Sequence, residues 1–244
     1  CQDDCPKFVQ GRVVEVPGGA ANAERCLSAW ADVRTSLYGF PPSDCPVKMR
    51  YVEGDKIVFR ADDDGPTDRG TRYEWARKQA PDMVSSAAAV LLSDYDKGFL
   101  TPELIKEVAA LCRARNIPCV ADAKREPSVY AGCILKCNES YYVRHFEEVR
   151  KSALYWVVTK GAGEPYVQHI KGEIPNTSTS EVTCVNHVGA GDCFGAHLTL
   201  CLAYGFSLKD AAALAHSAGR VYVQYPHNRP PTPSEIAADI STAT

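Results

Sequence analysis

No stretch of the 244-residue chain is apolar for long enough to cross a bilayer, so a membrane-spanning helix is excluded. The first residues lack the basic-then-apolar order of a secretory leader. A net charge of −3 leaves no global basic field, and nucleic acid is not an expected partner. No CxxC pair occurs, and no histidine completes a metal spacing, which argues against a zinc site. Internal repeats and low-complexity segments are absent. The chain opens on Cys1 rather than Met, which reads as a processed or partial chain and leaves a removed targeting segment open.

Cysteine, in contrast, is plentiful: there are 11, an odd number. Cys112, Cys119, Cys184, Cys193 and Cys201 lie in apolar contexts, where a reduced thiol behaves as a small hydrophobe. Buried free thiols and a reducing intracellular compartment, the cytoplasm or an organelle interior, are therefore predicted. Hydrophobic content of 45% and charged content of 23% are those of a soluble globular protein, and the length suits one α/β domain over residues 1–244.

From about Met83 onward, strand-like and helix-like segments alternate. Ala87 to Leu92 and Ile117 to Ala121 are continuous apolar runs, the form of strands buried on both faces. Thr101-Pro102-Glu103 opens a helix to about Arg115, with Thr101 as N-cap. A short strand at Ile134-Leu135, a helix over 139–151 and a strand over 155–159 follow. A hairpin is predicted around Lys171-Gly172, then helices over 192–204 and 208–225 with Gly205 between them as C-cap. The proline-rich stretch 226–233 connects to a last short helix. This order predicts an α/β fold with a doubly wound, mostly parallel sheet flanked by helices. In such sheets ligands bind at the C-terminal strand ends, where Asp94, Asp122, Asn138, Thr159 and Asp192 all fall.

The front third reads differently. Residues 13–16 and the pair 46–52 and 56–60 are strand-like, and lid-type strands are expected around 7–16 and 46–60, forming a small sheet exposed on one face. Pro17 to Asn22 is a turn into a helix reaching about Trp30. Asp62-Asp63-Asp64 reads as a solvated loop.

The most informative run is Val188-Gly189-Ala190-Gly191-Asp192. Small residues let the backbone turn so that several N–H groups point at one anion where a helix begins. Asp192 in the first helical turn can accept a proton from an attacking hydroxyl. Phosphoryl transfer to an alcohol needs such a cradle with a base beside it. The same residues also suit a plain turn with an aspartate stabilising a helix dipole.

Six motifs in order resemble the ribokinase-like (PfkB) carbohydrate kinases, and in particular the kinase half of bacterial heptose-phosphate kinase/ADP-heptose synthase enzymes. They are Pro17-Gly18-Gly19-Ala20-Ala21-Asn22, Ser93-Asp94-Tyr95-Asp96-Lys97-Gly98, Asp122-Ala123-Lys124, Lys136-Cys137-Asn138-Glu139, Val158-Thr159-Lys160-Gly161 and Gly189-Ala190-Gly191-Asp192. The resemblance implies transfer of the γ-phosphoryl group of ATP, with Mg²⁺, to a sugar or sugar phosphate. It implies Asp192 as general base, with Gly189, Ala190 and Gly191 forming the anion hole. Gly18, Gly19, Asn22, Asp94 and Lys97 would face the acceptor. Lys124, Asn138, Thr159, Gly161, His216 and Asn228 would border the nucleotide. A homodimer through the lid, or a place in a larger complex, is also implied.

The chain departs from that pattern at several points. No front strand ending in Gly-Asp precedes Val13, and Phe40 to Cys45 is too short for the helix and strand usual there. Tyr141 stands where a metal-organising glutamate is usual, leaving Glu139 as the only metal candidate. Asn186-His187-Val188 replaces Asp-Thr-Thr, and Lys160 replaces an apolar residue. Two readings follow: an active carbohydrate kinase, or a degenerate kinase fold kept as a structural or regulatory subunit.

Overall fold

The structure is a computed structural model that describes residues 15–53, 56–65, 70–152, 155–161, 163–169, 172–174 and 182–243. In chain order its elements are α1 (Gly19–Cys26), β1 (Val47–Glu53), β2 (Lys56–Asp63), α2 (Gly70–Ser85), β3 (Val90–Ser93), α3 (Pro102–Ala114), β4 (Cys119–Asp122), β5 (Ile134–Asn138), α4 (Glu139–Arg144), α5 (Phe146–Ser152), β6 (Tyr155–Lys160), β7 (Gly163–His169), β8 (Gly172–Ile174), α6 (Ala190–Ala203), α7 (Leu208–Val223) and α8 (Pro233–Ala243).

Strands β3 to β8 form one sheet in sequence order, parallel from β3 to β6 and antiparallel from β6 to β8. The period of two along each strand feeds two apolar layers. Leu92, Ala121, Leu135, Cys137, Trp156 and Val158 pack against Ala76, Ala80 and Val84 of α2 and Leu104, Ile105 and Val108 of α3. The intervening residues Val120, Val157 and Val167 pack against Phe194 and Leu198 of α6 and Ala211, Ala212 and Ala215 of α7. A third cluster joins α1, α6, α7 and α8 through Ala23, Cys26, Cys193, Ala196, Ala218, Tyr222 and Ile236. The expected mostly parallel sheet with helices on both faces is thus present.

Local signals set several boundaries. Thr101 accepts from the N–H of Leu104 at 3.2 Å and begins α3, with Pro102 in its first turn. Gly205 adopts the left-handed region at φ 82°, and Phe206 N–H closes on the Cys201 carbonyl at 3.1 Å, ending α6 as predicted. Thr232 and Glu235 cap α8 reciprocally, Thr232 N–H to Glu235 at 2.8 Å and Glu235 N–H to Thr232 Oγ1 at 3.3 Å.

Other expectations need correction. The strand over 13–16 falls partly outside the described residues, and Glu15 and Val16 carry no strand. The helix expected to reach Trp30 stops at Cys26. The strand at 134–135 runs on to Asn138, and the helix over 139–151 is two helices joined at His145. Helix α2 was unforeseen, because its buried stripe is Ala76, Ala80 and Val84, small residues that give a weak apolar signal, and Pro81 interrupts it. The β1–β2 hairpin forms where lid strands were expected, but every β1 residue is exposed, so its two faces are both open. Asp62 and Asp63 belong to β2 rather than a loop, with Asp62 bonded to Arg60. Of the thiols, Cys26, Cys112, Cys119, Cys133, Cys137, Cys193 and Cys201 are buried, but Cys184 is exposed, because the segment before Gly189 runs over the surface.

Candidate active site

The Gly-rich turn sits at the start of α6, where Gly189 is the N-cap with φ 85° and ψ 0°. The first intrahelical bond is Cys193 N–H to the Gly189 carbonyl at 3.0 Å, so the N–H groups of Ala190, Gly191 and Asp192 precede the helical ladder, and that of Ala190 turns back to the His187 carbonyl at 3.3 Å. Only glycine fits at 189. A Cβ there would stand 2.5 Å from both Asn22 Nδ2 and the Tyr222 hydroxyl, besides requiring a left-handed backbone.

Asp192 is 5% exposed and has both carboxylate oxygens engaged. Tyr95 donates its hydroxyl to Oδ1 at 2.6 Å, and Asn22 donates Nδ2 to Oδ2 at 3.1 Å. Burial pushes the Asp192 carboxyl above the usual carboxylate range, opposed by those two hydrogen bonds and by the charge of Lys136. Asn22, fully buried, also donates to the Gly189 carbonyl at 3.3 Å. Tyr222 lies 3.3 Å from the same amide nitrogen and donates to the Val188 carbonyl at 3.1 Å. Asn22 therefore lies behind the carboxylate and fixes it, rather than lining the pocket as the resemblance implied.

Around this point runs an open cleft lined by Gly18, Gly19, Lys48, Tyr95, Lys97, Gly189 and Asp192, among others. Gly19, at φ 53°, lets the Tyr95 ring approach: a Cβ there would be 3.1 Å from Tyr95 Cε2. Lys124 Nζ stands 5.6 Å from the Tyr95 ring centroid and Lys48 Nζ 5.9 Å. Burial and the nearby Arg60 lower the Lys48 ammonium below its ordinary value. Lys97 is ion-paired to Asp64 across the cleft mouth.

Asp94 is committed elsewhere. Its Oδ2 accepts from Tyr130 at 2.7 Å and from Arg125 Nε at 2.9 Å, and its Oδ1 from the Asp96 N–H at 2.8 Å. Tyr130 in turn accepts from the N–H groups of Lys124 and Arg125, both at 3.0 Å. Arg125 also reaches Asp96 and the Leu100 carbonyl, each at 2.8 Å. Asp94 thereby ties the loop after β3 to the loop after β4 and sets the backbone from which Tyr95 projects.

Asp122 ends β4, and Lys136, in the middle of β5, stands in direct register with it. Lys136 is buried, and its ammonium donates to Asp122 at 2.8 Å and to the Gly191 carbonyl at 2.9 Å. The sheet edge thus grips the first turn of α6.

Of the remaining expected residues, Asn138, Thr159 and Gly161 lie along the same sheet edge, and His216 and Asn228 lie within and after α7. Asn138 caps α4, accepting from the Tyr141 N–H at 2.8 Å, and is paired in register with Thr159. Thr159 donates to the Cys137 carbonyl at 3.3 Å, and Gly161 turns at φ 62°. Glu139 is exposed. Tyr141 is buried and donates to the Arg125 carbonyl at 2.6 Å, a bond the usual glutamate could not donate when ionised. His216 is buried within α7. Asn228, left-handed at φ 54°, accepts from Asn186 Nδ2 at 2.9 Å while Asn186 Oδ1 accepts from the Val188 N–H at 3.0 Å. Asn186 uses donor and acceptor together, which an ionised aspartate could not do.

Sequence reasoning assigned no role to Tyr95, Lys136, Tyr222, Arg125 or Tyr130. Lys136 carried a signal: a lysine inside the apolar strand Ile134–Asn138 needs a buried partner, and Asp122 ends the strand before it. The tyrosines carried none, since burial brings them to the site from distant segments.

Comparisons with known proteins bear on the family and the fold. The chain is 27% identical over 251 residues to the bifunctional protein HldE of Geobacter metallireducens, covering 92% of this chain and 50% of that protein. It is 30% identical over 230 residues to the HldE of Caulobacter sp. strain K31, covering 84% and 46%. The chain thus spans about half the length of the curated relatives it matches. In fold it is similar to a protein of Agrobacterium tumefaciens provisionally assigned as a ribokinase, with TM-score 0.73 at 17% identity over 98% of this chain and 92% of that one. Arabidopsis thaliana ribokinase, solved with ribose and ATP, gives TM-score 0.63 at 17% identity over 81% and 69%. Residues 74–235 match the pfkB family of carbohydrate kinases, and the chain belongs to that family.

Proposed function

We propose that this protein transfers the γ-phosphoryl group of ATP to a hydroxyl of a sugar or sugar phosphate, with Asp192 as general base. The observation that carries the reading is a buried carboxylate, held from behind by Asn22, beside the first-turn N–H groups of Gly191 and Asp192 at the mouth of an open cleft. The γ-phosphoryl group rests at those N–H groups, where the helix terminus and its dipole favour anions. An acceptor hydroxyl bound in the cleft gives its proton to Asp192. Its oxygen forms a bond to the γ-phosphorus, the bond from that phosphorus to the β,γ-bridging oxygen breaks, and ADP leaves with the electron pair. The raised pKa of Asp192 suits proton acceptance near neutrality better than an ordinary carboxylate would. Lys48, Lys97 and Lys124 supply positive charge for phosphate groups entering the cleft.

Mg²⁺, which the family resemblance implies, needs only one or two carboxylates beside the ATP phosphates and water, so it does not call for the cage of three His, Cys, Asp or Glu side chains that the described residues lack. Asp122 is bonded to Lys136, and Asn138 to Tyr141. The lysines and main-chain N–H donors would share the charge of the transferring group with that ion.

The scaffold alternative is weakened by the care with which Asp192 is held, since a structural subunit has no use for an oriented, buried base. The test is ADP release from Mg-ATP with a panel of pentoses, hexoses and heptose phosphates. Asp192→Asn is expected to abolish turnover while leaving thermal unfolding and ATP binding in place. Turnover that survives Asp192→Asn would sink the assignment.

A further inference from the structure

Each oxygen of Asp192 has a partner, yet the two partners differ in their freedom to leave. Asn22 is fully buried and bonded to Gly189 as well as Asp192. Tyr95 is half-buried, lines the open cleft, and among the described residues has its hydroxyl only on Asp192 Oδ1, at 2.6 Å. Its backbone is pinned by Asp94, its ring lies against Gly19, and two lysine ammonium groups flank it. A base must have one oxygen free for the incoming hydroxyl, and Oδ1 is the one whose partner can swing away.

From this arrangement we infer that Tyr95 is a placeholder: its hydroxyl occupies the position on Asp192 that the acceptor's hydroxyl takes during reaction, and the acceptor displaces it. The inference rests on the kinase reading. It explains how a buried carboxylate avoids an unsatisfied lone pair before substrate arrives. It also explains what keeps water from that place. A water molecule on Oδ1 would be positioned to lose its proton to Asp192 and attack the γ-phosphorus, giving ADP and inorganic phosphate. The phenol excludes it. Its own proton stays on, because burial and the facing Asp192 charge raise the Tyr95 pKa.

The test is Tyr95→Phe, which keeps the ring against Gly19 and removes only the hydroxyl. With Mg-ATP and no acceptor, the variant is expected to release ADP faster than the unsubstituted protein. With acceptor probes, D-ribose as the neutral one and a heptose 7-phosphate as the anionic one, KM falls roughly three- to tenfold at unchanged kcat, the range one hydrogen bond commands. The pH profiles discriminate further. Tyr95 bonds the ionised carboxylate only in the free protein, so its loss moves the acid limb of kcat/KM upward and leaves that of kcat in place. Lys136 of β5, Asp122 of β4 and Tyr222 of α7 also act on the Asp192 carboxylate or face it, and the substitution leaves them unchanged.

A fall in kcat at constant KM, or an upward move of both limbs, would make Tyr95 a permanent support of Asp192 and overturn the inference alone. If neither form releases ADP under any condition, the kinase reading fails and the placeholder fails with it.

Discussion

Lys136 donates to the main-chain carbonyl of Gly191 at 2.9 Å while holding Asp122 at 2.8 Å. The middle of a buried strand thus fixes the start of the helix that carries the proposed base. The pair is nearly solvent-free, with side-chain exposures of 4% and 9%, so its value lies in the completeness of its bonding rather than in charge attraction alone.

Lys136→Met is therefore expected to destabilise the fold by about 3 to 5 kcal/mol, because Asp122 is left buried without a partner. Adding Asp122→Asn should recover much of that loss in a urea unfolding experiment. Activity should stay low in the double variant, since the Gly191 carbonyl still lacks its anchor. Recovery of stability and turnover together would show that the turn needs no such support.

Gly189→Ala joins a left-handed backbone to a steric conflict with Asn22 and Tyr222, and a loss of about 2 to 4 kcal/mol is expected. Gly161→Ala is the natural comparison. That glycine is also left-handed, at φ 62°, but nothing lies within 4 Å of an added Cβ. It should lose only the backbone term, about 1 kcal/mol. Equal losses at the two positions would mean that the packing at 189 relaxes freely.

His197 gives the fold a pH dependence. Its Nε2 accepts from Trp30 Nε1 at 3.3 Å and its Nδ1 faces the Cys193 carbonyl at 2.9 Å, an arrangement that fits only the neutral ring. Burial pushes its pKa down to about 4. The unfolded chain protonates this histidine near pH 6.5, so between about 6.5 and 4 it binds a proton that the folded chain does not. Stability contributed by neutral His197 is present above pH 6.5 and is lost as pH falls to about 4, by on the order of 3 kcal/mol. Thermal unfolding of the native protein and of His197→Phe across that window should show the slope reduced in the variant.

Asn22→Ala should lower kcat by roughly tenfold or more, because Asp192 loses a charge-assisted donor and its orientation. The acid limb of both kcat and kcat/KM should move upward, since Asn22 bonds the carboxylate with or without acceptor. That pattern contrasts with the one expected of Tyr95→Phe, and a steady-state pH series on the two variants compares them directly.

Much of this was legible in the chain. The apolar runs at 87–92 and 117–121 marked the parallel strands, which the structure places at Val90–Ser93 and Cys119–Asp122, because a strand covered on both faces needs no alternation. Thr101, Gly205 and the Gly-rich run marked helix ends because caps act through neighbouring main-chain groups. Helix α2 escaped because alanine contributes little apolar contrast at 76 and 80.

What the sequence by itself determined is therefore local. It established that small residues at 189–191 open a helix with Asp192 in its first turn, and that strand ends deliver Asp94, Asp122 and Asn138 to one edge. Tertiary structure alone decided which partners each of these carboxylates has. Asp94 and Asp122 share the strand-end position with the same apparent promise, yet Arg125, Tyr130 and Lys136 consume them. Asp192 remains at the cleft, held by Asn22 from 170 residues away and covered by Tyr95 from 97. The reason is physical: helix caps and strand runs depend on contacts a few residues apart, whereas the partners of a buried polar group are chosen by packing across the whole chain.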